Sequence, residues 1–268
     1  MFGKLFKHEF LATWRTLATV AGVIYLVSCT LLLPVVFNVP LFGSGALVLA
    51  LIGFASLTAV VPILLAIHYW RTMYGGPGYL THSLPVRGGV IYAAKVTYAA
   101  LTTLVASVVG LGSAFALPVL AFRIHSAGFV DEVWTGLKTQ LGTIPLAPML
   151  AALLAYYAVE YVIYLSAITI GTRGALGRLG AGGVVIALVA TYFLLQLTAA
   201  IALFVIPLGL RITGPHIGSV AWEFMGLDVF SGTQPTVIGI GWLPVVVIIA
   251  IVAVVIAIRS VERHTSLV

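Results

Sequence analysis

Six apolar runs, each about 17 residues or longer, follow one another along this chain, with its few charges gathered at their ends. A helix needs roughly 20 apolar residues to cross a hydrocarbon core. In lipid every backbone N–H and C=O must be paired within the protein, which leaves only helices or a closed barrel. The alternating pattern of barrel strands is missing, so the runs predict helices. Composition agrees: 62% hydrophobic and 7% charged residues give too little polar side chain to cover a water-exposed globule. The expected fold is an all-α polytopic membrane protein in a single domain, 1–268. No soluble domain interrupts it, because the longest non-spanning segment, 207–241, is itself largely apolar.

The spans read as 17–37, 46–68, 90–121, 146–170, 181–206 and 242–258. Lys4, Lys7, Arg15, Arg71, Arg87, Lys95, Arg173, Arg178, Arg259 and Arg263 fall on one side of them, and only Arg123, Lys138 and Arg211 on the other. The positive-inside rule puts the first group, and with it both termini, in the cytoplasm; six crossings agree with that parity. The formal net charge of +6 thus reads as a topology signal facing membrane lipids, not as a nucleic-acid footprint. Cys29 lies inside the first span and has no partner for a disulfide. Leu26-Val27-Ser28-Cys29 has the form of a lipoprotein cleavage box, but the apolar run continues to Phe37, as in an uncleaved first helix.

Residues 1–16 carry Phe2, Phe6, Phe10, Thr13 and Leu17 on one helical face and Lys4, Lys7, His8 and Arg15 on the other, with Glu9 near the apolar edge. That pattern predicts an interfacial amphipathic helix. After span two, Gly75-Gly76-Pro77-Gly78 breaks the chain and 79–87 forms a short element, its helix ending near Ser83 because Pro85 pushes Leu84 out of the helical region. The third span, about 48 Å at helical rise, exceeds the bilayer core, starts in the cytoplasm near Lys95, and has Pro118 placed to break its outer end. Phe129, Val130, Val133, Trp134, Leu137 and Leu141 mark a second interfacial helix outside. Glycines at 171, 174, 177 and 180 read as a flexible cytoplasmic connection. The Gly- and Pro-punctuated but apolar 207–241 reads as a re-entrant or interface-hugging hairpin.

Glu160 is the one unambiguous acid inside a span, and a carboxylate at membrane depth points to function. Tyr156, Tyr157 and Tyr164 share its helical face, with phenols able to donate to it. Gln196, one turn after Tyr192, is the other strongly polar group at similar depth. These five residues are the candidate translocation path; a hydrogen-bonded knot between helices is the alternative for them. Enzymatic readings fail: Phe42 stands where a rhomboid-type Gly-x-Ser-Gly needs glycine, and no Gly-Lys-Ser or Gly-Lys-Thr occurs. The six histidines are scattered without metal-ligand spacing, and His68 and His82 read as interfacial. No catalytic residue, metal or nucleic-acid site is expected.

Phe2-Gly-Lys-Leu-Phe-Lys-His-Glu-Phe10 entering span one, Gly78-Tyr-Leu-Thr-His-Ser-Leu-Pro-Val86 followed by Lys95, and Leu165-Ser-Ala-Ile-Thr-Ile-Gly171 closing span four together resemble an ABC-2-type exporter permease. The resemblance implies the type V exporter fold: an N-terminal elbow helix, a cytoplasmic coupling helix between helices 2 and 3, and short re-entrant helices before helix 6. It implies that Tyr79, Thr81, His82, Leu84, Pro85 and Arg87 dock on a separate nucleotide-binding subunit, which holds the ATP and Mg; this chain would carry no cofactor. It implies a second permease chain, identical or a paralogue, in a bacterial plasma membrane. A hydrophobic or amphipathic cargo such as a lipid, lipopeptide or drug suits the apolar spans. A non-transport membrane scaffold or sensor is the competing reading.

Sidedness is directly testable. In a Cys29→Ala background, single cysteines at Ser83 and Thr213 are expected to react with an impermeant thiol reagent from opposite sides of intact cells. Labelling from the same side would overturn the six-span topology.

Overall fold

A computed structural model describes residues 1–37, 39, 43–76, 78–83, 85–123, 131, 135–136, 146–211, 219–220 and 237–263. Six long helices carry the architecture: α1 (Phe2–Val36), α2 (Gly43–Met73), α4 (Gly88–Arg123), α5 (Leu146–Gly171), α7 (Ala181–Val205) and α8 (Trp242–Arg263). Two short ones, α3 (Gly78–His82) and α6 (Gly174–Gly177), sit in connections, and β1 (Gly209–Arg211), β2 (Ser219–Val220) and β3 (Val237–Gly239) precede α8. All six long helices are long and apolar enough to cross a membrane. The chain is therefore a multi-pass membrane protein. The expected outer helix over 129–141 falls almost wholly outside the described residues.

Four expectations change. The amphipathic start is not a separate helix but the first turns of α1, whose 35 residues reach about 52 Å without a break. Its buried positions are Glu9 and Thr13, while Phe2 and Phe10 are exposed. Pro118 does not end α4, which runs on to Arg123; prolines are tolerated in spanning helices where neighbours and local adjustments re-satisfy the freed carbonyl. The glycine-rich connection folds into the one-turn α6, with Gly174 and Gly180 at φ +52° and +55°, a left-handed backbone that side chains disfavour. The described residues before α8 form three short strands and no helix: β1 pairs antiparallel with both β2 and β3, Gly209 facing Val220 on one side and Gly239 on the other. Closely spaced Gly and Pro disfavour a helix there, and a ladder satisfies the same backbone groups.

The chain divides into two compact units, residues 1–134 with 261–268, and residues 135–260. In the first, α1, α2 and α4 pack on one another, and α3 packs on α2. Ala50, Phe54, Leu57, Val61, Leu65 and Tyr69 form the buried stripe of α2 at three-to-four spacing. Leu32 of α1 closes on Ala50 and Phe54, and the Tyr25 ring meets Phe54 edge-on at 5.4 Å. Residues on the opposite faces, such as Ile52, Ile63 and Val105, are apolar and exposed, as a lipid-facing surface requires. Lipid offers no hydrophobic drive between helices, so close backbone approach must supply the attraction. Gly110 of α4 provides it: a Cβ there would lie 2.9 Å from the Phe54 carbonyl oxygen and 3.1 Å from Leu57 Cβ.

In the second unit α5 packs on α7, and α6 folds onto α7. Ile163 of α5, Leu195 of α7, and Val246 and Ala250 of α8 form its apolar core.

The Gly110 contact gives a paired test. Gly110→Val forces α2 and α4 apart and is expected to destabilise the protein by about 1–3 kcal/mol, read as a lower melting temperature in detergent. Gly112→Val, at a position with open space around it, should melt like the unsubstituted protein. Equal melting of both variants would remove Gly110 from the helix contact.

Candidate functional site

An ionised side chain cannot be left alone at membrane depth, so buried charges show where helices must meet. Glu9 on α1 and Lys95 on α4 are 7% and 6% exposed. Lys95 Nζ donates to Glu9 Oε1 at 2.6 Å and to Thr72 Oγ1 at 2.8 Å. The other carboxylate oxygen, Oε2, lies 3.1 Å from Nε2 of His68 on α2. Both oxygens of the acid are thus used, each by a different helix. Thr72 Oγ1 donates to the His68 carbonyl at 2.8 Å, one turn back along α2. Thr81 of α3 donates to the Thr72 carbonyl, also at 2.8 Å.

One turn further along α1, Thr13 Oγ1 donates to the Glu9 carbonyl at 2.9 Å and meets the Tyr98 hydroxyl of α4. The Phe6 ring abuts Tyr98 edge-on at 5.4 Å. Charge, hydroxyl and ring contacts therefore join α1 to α4 over two turns, and the carboxylate adds α2.

A cavity of about 730 Å³ opens beside this junction. Leu5, Ala12, Leu80, Pro85, Val86 and Ile91 make its walls apolar, while Glu9, His68, Thr72 and Lys95 supply a polar floor and Lys4 and His8 a basic side. α3 forms part of the wall because Gly75 and Gly78 let the chain turn tightly after α2, Gly78 N–H donating to the Gly75 carbonyl at 2.7 Å.

The residues expected to dock a partner gather around α3. Tyr79 is 58% exposed, and Leu80, 57% exposed, stands in the cavity wall. Thr81 faces inward to Thr72, and His82 ends the helix. Leu84 lies outside the described residues. Pro85 lines the cavity, and the carbonyl of Arg87 accepts the Val90 and Ile91 N–H groups that start α4.

In the second unit Glu160 is half-buried on α5 and accepts a hydrogen bond from Tyr164 at 3.0 Å. Tyr156 and Tyr157 stand within electrostatic reach of the same carboxylate. The Tyr156 ring meets Trp242 of α8 edge-on at 4.6 Å. Gln196 is exposed, because its neighbour Leu195 takes the buried position against Ile163. Of the five expected path residues, the carboxylate and its three tyrosines come together.

Sequence reasoning missed the Glu9–Lys95–His68 junction, treating Glu9 as an oddity, Lys95 as a topology marker and His68 as interfacial. The signal was present: Glu9 is the only acid in the first 130 residues and Lys95 sits in an otherwise apolar stretch, so each needed a counter-charge. Nothing in the sequence singled out His68 or Thr72.

No family model matches this chain, nor does any curated protein or solved structure. The functional reading therefore rests on its own residues.

Removing one member of a buried pair leaves the other charge stranded, which costs about 3–5 kcal/mol, whereas replacing both with apolar groups is often neutral. Glu9→Leu and Lys95→Met are each expected to lower the melting temperature sharply and reduce membrane yield. The double variant should recover most of the loss. Additive losses would mean that the two side chains are not coupled.

Proposed function

We propose that this chain is the membrane-spanning permease subunit of an ABC exporter of the ABC-2 type. It would move a hydrophobic or amphipathic substrate, with ATP hydrolysed on a separate nucleotide-binding subunit. The observation that carries this reading is the hydrogen-bonded route from α3 into the long helices: Thr81 to Thr72, Thr72 to Lys95, and Lys95 to Glu9. A short helix between the second and third spans that leaves Tyr79 and Leu80 exposed, and is bonded to α2 and through it to α4 and α1, is suited to receive a push and pass it on. The charge pair makes the response collective, since moving α4 alone would strand Lys95.

The concentration of Lys and Arg around this end supports a cytoplasmic position, where an ATPase would be met. Six helices in one chain supply half of a dimeric path, so a second permease chain, identical or a paralogue, completes the assembly. A bacterial plasma membrane is the setting that reading implies. Glu160 and its tyrosines are a polar group in the spans available to a passing substrate.

Affinity capture of the full chain from its native membrane is expected to bring down an ATPase whose turnover depends on the chain. Leu84→Asp and Arg87→Glu should weaken that association, since losing an interface anchor typically costs about 2 kcal/mol or more. Thr81→Val should leave association intact but lower substrate-stimulated turnover. Capture without any ATPase would favour a non-transport scaffold, and unchanged coupling in all three variants would remove α3 from the docking role.

A further inference from the structure

Two acids of the long helices, Glu9 and Glu160, are treated differently. Glu9 has Lys95 and His68 on its two oxygens. Glu160 lies near the middle of the membrane-crossing stretch of α5, and among the described residues no cation pairs with it. Its partners are phenols: Tyr164 donates to it directly, and Tyr156 and Tyr157 approach it. Hydrogen bonds from neutral donors stabilise a carboxylate but leave its charge in place.

The surroundings say what kind of counter-charge fits. Tyr156 and the Trp242 indole, 4.6 Å apart and nearly perpendicular, add aromatic surface next to the acid. Aromatic faces attract cations, most strongly where water is excluded. A divalent metal is a poor match, because Ca²⁺ and Mg²⁺ require about six or more oxygen ligands, and among the described residues no group of three metal-ligating side chains exists. Val159 and Ile163 on the same helix make the remaining surroundings apolar. Glu160 is only half-buried, and Tyr192, within electrostatic reach of Tyr164, is 47% exposed, so the cluster is open to a molecule arriving from the bilayer.

We propose that Glu160, Tyr156, Tyr164 and Trp242 form a binding site for an amphiphilic organic cation, the carboxylate neutralising its charge and the rings holding its apolar groups. The site rests on the export reading only in making this cation the cargo class; binding itself needs no ATPase. Glu160 sets the charge preference, and the aromatic pair sets the preference for a bulky, weakly hydrated cation over a small inorganic one.

The test is equilibrium dialysis of labelled tetraphenylphosphonium against the full chain in zwitterionic lipid nanodiscs, with protein-free nanodiscs subtracted and neutral triphenylphosphine oxide as the uncharged comparison. Saturable binding of the cation is expected, tighter than that of the neutral compound. Glu160→Gln should weaken cation binding by about tenfold or more while leaving the neutral compound unaffected. Glu160→Asp, which keeps the charge, should retain cation preference and guards against a Gln variant that fails to fold. Trp242→Leu should weaken the cation by about two- to tenfold. Equal binding of the two compounds, unchanged cation binding in Glu160→Gln, or proton uptake by Glu160 without any cation binding would each overturn the proposal. A charge-blind site in a chain that still drives a partner ATPase would sink this inference alone. A cation site in a chain with no ATPase partner would sink the export reading alone.

Discussion

Lys95 and Glu9 approach to 2.6 Å because neither can stand unpaired where it lies. Much of the first unit follows from that constraint. The pair fixes α1 against α4, and the second carboxylate oxygen draws in His68, fixing α2. Thr72, one turn from His68, shares the Lys95 ammonium and offers its carbonyl to Thr81, so the short α3 is positioned by the same junction. Toward the middle of the helices the contacts change character. Tyr25 meets Ser113 and Phe54, and Gly110 lets α4 touch the α2 backbone. Polar pairing holds one end of the three helices and close packing the middle.

This division of labour reflects the solvent. Aliphatic side chains gain little by leaving lipid for a helix interface, so exposed Ile and Val on the outer faces cost nothing and small residues collect where helices touch. The second unit follows the same rule, with Ala250 in its core and Gly183 buried at the start of α7 against the Leu176 carbonyl of α6. Left-handed glycines at 174 and 180 allow the tight reversal that brings α6 onto α7. Of the glycines that looked like slack in the sequence, Gly171 and Gly177 leave no room for a Cβ, and Gly174 and Gly180 hold a left-handed backbone.

The contrast between the two carboxylates links architecture to function. Glu9 is neutralised by Lys95 and hydrogen-bonded to His68 on its other oxygen, which suits it to hold helices in register or move them together. Glu160 is met by hydroxyls and rings, which orient a charge without cancelling it. An acid used purely as helix glue would be served as well by an amide, without the risk of a stranded charge. The first unit thus holds a paired charge near α3, and the second a carboxylate that no cation among the described residues meets.

Six runs of apolar residues determined by themselves that the chain crosses a membrane as six helices, because hydrocarbon permits no unpaired backbone and length fixes what can span it. Helix ends near residues 146, 171, 181, 205 and 242 were legible for the same reason, as was a short helix ending close to Ser83. The Glu160 tyrosines were legible too, since three-to-four spacing on one helix places them together. Tertiary structure alone decided the rest. Whether 1–16 forms a separate element depended on what its polar face could pair with, and Glu9 found Lys95 some 86 positions away. Facial periodicity marks which residues lie together on one helix, but it carries no information about which helices meet. His68 and Thr72 therefore stayed invisible until α2 was laid against α1 and α4, and Gln196 is exposed because Leu195 holds the buried position. Local spacing is written in the chain; the partner of a buried charge is chosen by packing.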